Sequence, residues 1–458
     1  MFSSIKKFVP KPLLRGYHWA LAHLAAAWYA WPSRRLIVIG VTGTNGKTTV
    51  VNLIARILEE AGEKVGLTST VNFRIAGEDV LNDMKMTMPG RFFLQKTLHR
   101  MVEAGCRYAV IETSSQGLDQ YRHLGIEYDV AVFTNLTPEH IEAHGGFANY
   151  KNAKLKLFRH LTKHKRKTLP MRGGVKKVIV ANLESEHAWD FLDAQADKKY
   201  GFLAESSDKP AGTVTWPMAV VKGLQVDLKP EGSSFSVRDA RFDLKMPGRY
   251  NVLNALAAIS VGLSQGLQLD VMVKALAKID NVPGRFERID EGQDFSVIVD
   301  YAPEPESVRQ VYAAVERMPH ARIIHVLGSA GGGRDIARRP VLGRLAGEKA
   351  DVVIVTNEDP YDDDPRLIIE QVASGALETG KKDGETLFRI DDRREAIAKA
   401  FALAEPRDVV LLTGKGAEQA IVGRGGKLHP WDERRVAKEL LRERHDGRPP
   451  TLPPSVNA

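Results

Sequence analysis

The sequence predicts an α/β protein: a central domain with a mostly parallel sheet, followed by a second α/β domain. Short β-branched runs alternate with amphipathic stretches, the pattern of strand–helix–strand units whose sheet is covered on both faces. The same alternation restarts after Pro283-Gly284. The 458 residues, 43% hydrophobic and 27% charged, suffice for two or three domains with sizeable cores. The lone Cys106 excludes an internal disulfide and any multi-cysteine metal site, and fits a reducing compartment, hence a cytoplasmic protein.

In chain order, residues 1–35 form a basic and apolar leader. It holds six basic side chains (Lys6, Lys7, Lys11, Arg15, Arg34, Arg35) and no acidic one. The apolar stretch from His18 to Trp31 is too short to span a bilayer, which needs about 20 apolar residues. It reads first as a helix packed on the protein, then as a membrane-surface helix with weak contact, and last as an export signal. The central domain, residues 36–283, is expected to contain strands at Leu36–Gly40, Tyr108–Glu112, Val130–Asn135 and Val175–Asn182. Helical patterns cover Thr48–Ala61 and Phe92–Ala104. Residues 212–247 read as an antiparallel insertion, and Asn251 to Ile279 as helix-rich. The second domain, 284–445, carries strands at Ser296–Tyr301, Ile323–Leu327, Val352–Thr356 and Val409–Thr413, each followed by a helical pattern. Four prolines after Arg448 mark 446–458 as a disordered tail.

Directly after the first strand stands Gly40-Val-Thr-Gly43-Thr44-Asn45-Gly46-Lys47-Thr48-Thr49. Glycines let successive backbone N–H groups turn towards one anion, and the following helix adds its positive end. Lys47 can reach outer phosphates and Thr48 can ligate Mg²⁺. The strict phosphate-loop pattern fails at one place, where Val41 replaces the first glycine. Glu112 ends the next strand, and His140, with His144 beyond, follows the one after. The carboxyl ends of parallel strands share one edge, so Glu112 and His140 are placed to hold metal ions bridging ATP phosphates.

These segments resemble the ATP-dependent Mur ligases of peptidoglycan synthesis, most closely the branch that adds the third stem-peptide residue to UDP-N-acetylmuramoyl-L-alanyl-D-glutamate. The likeness extends through Glu112-Thr-Ser-Ser115, Tyr150-Lys-Asn-Ala-Lys154, Tyr250-Asn-Val-Leu-Asn254, Val282-Pro-Gly-Arg285, Val299-Asp300-Tyr301-Ala302, Gly333-Arg334-Asp335 and Gly414-Lys-Gly416. It implies a phosphate-loop central domain, a Rossmann-like C-terminal ligase domain, and an acyl phosphate attacked by an amine. It further implies that Gly43 to Thr49, Asn254, Arg285 and Asp300 bind ATP and that Thr48, Glu112, His140 and Lys154 hold Mg²⁺. Lys154 matches a lysine carbamylated by CO₂, and with Lys47 and His140 it makes the catalytic set. Ser114, Arg334, Asp359, Gly414 and Glu418 would meet the substrates, a nucleotide-sugar peptide and an amino acid. Related acceptors (a folyl-polyglutamate, cyanophycin or a lipid-linked muropeptide) and a non-catalytic ATP-binding partner protein are the alternatives.

Departures from the family pattern fall at Pro303, Ala417 and Gln116, each standing where a motif histidine is usual. In the amino-acid selectivity segment, Glu358-Asp359-Pro360-Tyr361 lacks the arginine of diaminopimelate enzymes. Only 39 residues precede Gly40, so the family's separate UDP-binding domain is expected to be lacking. A second basic run, residues 143–183, has eleven basic and no acidic side chains. It contains Lys154, which suggests attraction of an anionic substrate rather than nucleic acid, since no base-reading motif accompanies it.

Overall fold

The computed structural model describes residues 11–139, 141–170, 173–205 and 218–446. The first element is helix α1, Lys11–Trp28. Its small residues Ala22, Ala25 and Ala26 are fully buried. They fit against Gly125, whose φ of +81° suits glycine and where a Cβ would lie 2.9 Å from both the Ala22 carbonyl and the Ala26 methyl.

The chain then builds strand β1 (Ile37–Thr42), helix α2 (Lys47–Glu60), β2 (Val65–Thr68), β3 (Asn72–Ile75), β4 (Glu78–Leu81), α3 (Arg91–Glu103) and β5 (Tyr108–Glu112). After the short helix α4 (Ser115–Asp119) come β6 (Val130–Phe133), α5 (Ile141–His144), α6 (Phe147–Leu161), β7 (Val178–Asn182), α7 (Ala188–Leu192) and β8 (Lys198–Ala204). β9 (Met218–Lys229), β10 (Gly232–Val237), β11 (Ala240–Leu244), α8 (Arg249–Ser264) and α9 (Leu269–Ala277) complete this part. The strands form one sheet in the order β11-β10-β9-β8-β7-β6-β1-β5-β2-β3-β4. β2, β5, β1, β6, β7, β8 and β9 run parallel, and antiparallel hairpins extend both edges. Its central strands are buried throughout, as apolar runs such as Ile37-Val-Ile-Gly-Val41 require when helices cover both faces.

The region read as an antiparallel insertion proves to continue this sheet. β9 pairs parallel with β8 before β10 and β11 fold back on it. The twelve residues of β9 are long enough to serve both pairings, and its alternating burial concealed the parallel one. Residues 206–217, at the start of that region, lie outside the described ones, as does the expected disordered tail beyond Asp446.

The second sheet has the order β12-β13-β17-β14-β15-β16, built from Glu287–Ile289, Ser296–Asp300, Val409–Thr413, Ile323–Leu327, Val352–Thr356 and Leu387–Ile390 respectively. All pairs are parallel except the β12 edge. β16, only four residues of mixed polarity, carries too weak a signal to stand out in the sequence. Helices α10 (Pro305–Val315), α11 (Arg338–Lys349), α12 (Pro365–Leu377), α13 (Arg393–Leu403) and α14 (Glu433–His445) accompany it. Among the described residues no helix is long and apolar enough to cross a membrane.

Candidate active site

The carboxyl ends of β1, β5 and β6 lie side by side, and the loop joining β1 to α2 wraps over them. Gly46 holds φ at +80°, and an added Cβ would lie 2.3 Å from Asn254 Oδ1, so helix α8 closes the loop from the other side. Asn45 N–H donates to Asn135 Oδ1 (2.8 Å), and Thr134 Oγ1 donates to the Asn45 carbonyl (2.6 Å). Thr44 Oγ1 lies 3.0 Å from the Tyr150 hydroxyl. The loop is therefore fixed by β6 and α6 as well as by its own glycines.

Lys47 Nζ donates to the Thr44 carbonyl at 2.6 Å. Thr48 Oγ1 donates to Glu112 Oε2 at 3.0 Å, and the buried Glu112 carboxylate also accepts from the N–H and hydroxyl of Thr70. Lys154, on α6, is fully buried. Its Nζ donates to the Gly43 carbonyl at 2.6 Å and stands 4.3 Å from the centre of the Tyr150 ring. Burial, reinforced by the Lys47 charge, holds the Lys154 ammonium well below its ordinary range, which favours the uncharged amine. His140 lies outside the described residues. His144 is tied to Asp119 (2.7 Å) and Ser115 (3.1 Å).

Among the described residues no group of three or more His, Cys, Asp or Glu side chains is arranged around a metal position. Mg²⁺ requires none, because it keeps several waters and takes one or two protein oxygens plus substrate phosphates. The Thr48 hydroxyl and Glu112 carboxylate, side by side at the loop, fit that demand.

The second domain closes over the first. Arg285 Nη2 donates to Thr48 Oγ1 at 3.0 Å, and its guanidinium lies 4.5 Å from the centre of the Tyr301 ring. Asp300 accepts from the N–H groups of Phe286 (2.6 Å) and Ala302 (2.7 Å), so it shapes the strand ends that present Arg285. Burial pushes its carboxyl up, with Arg285 opposing. Asn45 Nδ2 donates to Glu304 Oε1 (2.8 Å), and Asp335 accepts from the N–H groups of Ile141 and Glu142 (3.0 and 2.8 Å).

Between the domains lies a cavity of about 390 Å³. Thr44 to Thr49, Glu112, Ser114, Lys154, Asn254, Arg285 and Asp300 line it, together with Arg334, Asp359 and Glu418 from its far side. Gly43 and Gly414 lie just behind the wall. Gly43 offers its carbonyl to Lys154, and the Gly414 N–H donates to the Asp300 and Tyr301 carbonyls. Thus the sequence-derived residues of both domains, apart from His140, meet around one space.

Residues that the sequence reading passed over complete it. Lys85, from the loop after β4, reaches across to Asp359 Oδ2 and Glu418 Oε2, each at 2.7 Å. Lys415 Nζ meets the same carboxylates at 2.9 and 3.0 Å. Burial lowers the Lys85 ammonium against the pull of Glu418; Lys415 is likewise disfavoured by burial but is held high by Glu418 and Asp359. Gln120 and Arg122 also line the cavity, and Arg122 donates to the Met88 carbonyl and to Gln120 Oε1. Lys415 stands in the Gly414-Lys-Gly416 motif, but Lys85, Gln120 and Arg122 sit on no periodic element and in no glycine motif, so only the fold reveals them.

The basic run needs a correction. Within 143–183, Lys154 alone of the described basic residues lines the cavity. Lys167 and Lys177 are buried on Asp129 beside the Leu36, Glu127 and Tyr128 carbonyls, at the amino ends of the strands and opposite the phosphate loop. Lys151, Lys156 and Arg166 pair with Asp190, Asp119 and Asp197. Five of the ten described basic residues of the run are thus neutralised by aspartates, and Lys154 alone of the ten faces the cavity.

Residues 41–262 match the Mur ligase middle domain and 284–416 the Mur ligase, glutamate ligase domain. A UDP-N-acetylmuramyl-tripeptide synthetase of Roseiflexus sp. (strain RS-1) is 40% identical over 445 residues, covering 95% of this chain and 84% of the relative. A UDP-N-acetylmuramoyl-L-alanyl-D-glutamate–2,6-diaminopimelate ligase of Geobacillus thermodenitrificans (strain NG80-2) is 37% identical over 431 residues, 93% of this chain and 83% of the relative. In fold alone the chain also resembles the solved Mycobacterium tuberculosis folylpolyglutamate synthase complexed with ADP, with a TM-score of 0.64 at 18% identity and 97% of both chains covered. Taken with the cavity that two α/β domains form around a phosphate loop, these likenesses show that the chain belongs to the Mur ligase family of ATP-dependent acid–amino acid ligases of peptidoglycan precursor synthesis.

Proposed function

We infer that this ligase adds the third amino acid to UDP-N-acetylmuramoyl-L-alanyl-D-glutamate, working in the cytoplasm with domains bounded near residues 36–283 and 284–445. The carrying observation is the shared cavity, with phosphate-binding groups on one wall and, on the other, Arg334 together with Asp359 and Glu418, the two carboxylates that Lys85 and Lys415 bridge. An acceptor carboxylate oxygen attacks the terminal phosphorus of ATP and ADP leaves. The amine then attacks the acyl phosphate carbon, phosphate leaves, and a proton is lost from nitrogen. Lys47, Arg285 and the loop N–H groups balance phosphate charge; Arg334 suits a carboxylate, and Glu418 with Asp359 suits an ammonium. Thr48 and Glu112, with His140 by the family resemblance, would hold Mg²⁺, which when bound would supply positive charge to the phosphates. Burial lowers the Lys154 ammonium well below its ordinary range and so favours the uncharged amine, the form that can add to CO₂ and become the anion the family uses. Ser114, Gln120 and Arg122 face the acceptor.

The test is product mass after incubation with ATP, Mg²⁺, the muramoyl-dipeptide and a pool of amino acids. A tripeptide product, with phosphate released only when acceptor and amino acid are both present, is expected. Equal phosphate release without acceptor, and no tripeptide, would sink the assignment. The match in shape and length to the folylpolyglutamate synthase favours a second reading, a different carboxylate acceptor, which the same assay with a folate acceptor decides.

A further inference from the structure

Helix α1 has two apolar faces and only one of them is used. The small face, Ala22, Ala25 and Ala26, is buried on the protein. Leu13, Tyr17, Leu24 and Trp28 fall within about 60° of one another on the opposite side, at 100° per residue. They are 69%, 55%, 55% and 75% exposed. Large apolar and aromatic side chains in a stripe have no role in a solvated helix face, where singly scattered ones are the norm.

Charge points to what covers the stripe. Residues 1–35 carry six basic and no acidic side chains. The first turn of α1 has no acidic residue to offset the positive end of the helix dipole, and the sequence there supplies only basic charge, Lys11 and Arg15. That arrangement opposes the helix's own field and suits a negatively charged neighbour. Lys96 and Arg100 are exposed on α3, the helix against which α1 packs. Aromatic and aliphatic groups on one side with lysine and arginine around them are the composition of a helix that lies in the plane of an anionic membrane surface, and α1 is not apolar enough to cross one.

We propose that α1 docks the protein on an anionic lipid bilayer, its Leu13–Tyr17–Leu24–Trp28 stripe entering the headgroup boundary and its basic leader neutralising lipid charge. The helix also orients the bound enzyme. The His18 ring stands 6.5 Å from that of Tyr121, between the cavity-lining Gln120 and Arg122, so the acceptor side of the cavity sits beside the start of the docking helix.

The experiment is co-sedimentation of the full chain with vesicles of phosphatidylcholine alone and with one part phosphatidylglycerol to two parts phosphatidylcholine. Binding to the anionic vesicles only, weakened by salt and accompanied by a blue shift of tryptophan emission, is expected. Leu24→Ser/Trp28→Ser should weaken it about tenfold or more while leaving ligase turnover in solution unchanged. If that variant melts early by circular dichroism, Leu13→Ser/Tyr17→Ser replaces it, and Lys6→Glu/Lys7→Glu tests the charge independently. No sedimentation with anionic vesicles, or equal sedimentation of the stripe variants, overturns the proposal. So does a concentration-dependent dimer that the stripe variants dissolve, because the occupant would then be a second copy.

Discussion

Lys154 shows how one side chain is prepared by its surroundings. Lys154 is fully buried, and desolvation, joined by the Lys47 charge, lowers its ammonium well below the ordinary range against the opposing pull of Glu139, a shift towards the neutral amine. Lys154→Ala should lower turnover about 10²-fold or more, with partial rescue by small added carboxylates filling the vacated space; steady-state phosphate release measures both. The buried histidines act through the same desolvation with a different outcome. His160, which meets the Ile126 carbonyl at 2.8 Å and lies beside the buried His123, is pushed down to about 4 by burial. Its folded value lies below that of the unfolded chain, so between about 6.5 and 4 the unfolded state binds more protons. Stability therefore falls as pH falls through that window, by about 3 kcal/mol for this group alone. Urea unfolding across the window should show the loss, and His160→Gln should flatten its slope.

At the scale of elements, the phosphate loop depends on a contact from outside itself. Gly46→Ala puts a methyl on Asn254 Oδ1 at a left-handed φ. It should raise the KM for ATP about tenfold or more and cost about 1–3 kcal/mol of stability, checked by kinetics and thermal melts. The loop and the strands that carry it were legible in the sequence because Gly43-Thr-Asn-Gly-Lys47 follows a continuous apolar run and precedes a clear helical period. Glu112 was legible for the same reason, as the polar end of a buried strand. β16 and the parallel pairing of β9 were not, because short strands of mixed polarity do not declare their neighbours. Lys85, Gln120 and Arg122 were hidden for another reason. They act from irregular loops, where position comes from tertiary packing and no periodicity records it.

For the whole molecule, the decisive feature is that both domains line the cavity. Lys85 is the central domain's contribution to a buried cluster otherwise built from the C-terminal domain. Lys85→Met keeps the length of the side chain but leaves Asp359 and Glu418 with Lys415 alone. Breaking a buried pair in this way should destabilise the joined domains by up to about 3 kcal/mol. Differential scanning calorimetry should then separate one transition into two, and the KM for the amino acid should change while the ATP-binding loop stays intact. Seen from Lys85, the trio of Lys415, Asp359 and Glu418 presents one net negative charge to one positive charge. Once the domains part by more than about 8 Å, salt ions screen that attraction at physiological ionic strength. The joint therefore works as a magnetic catch rather than a spring: it exerts no pull on an open molecule, and it engages firmly only when substrates have already brought the two walls together.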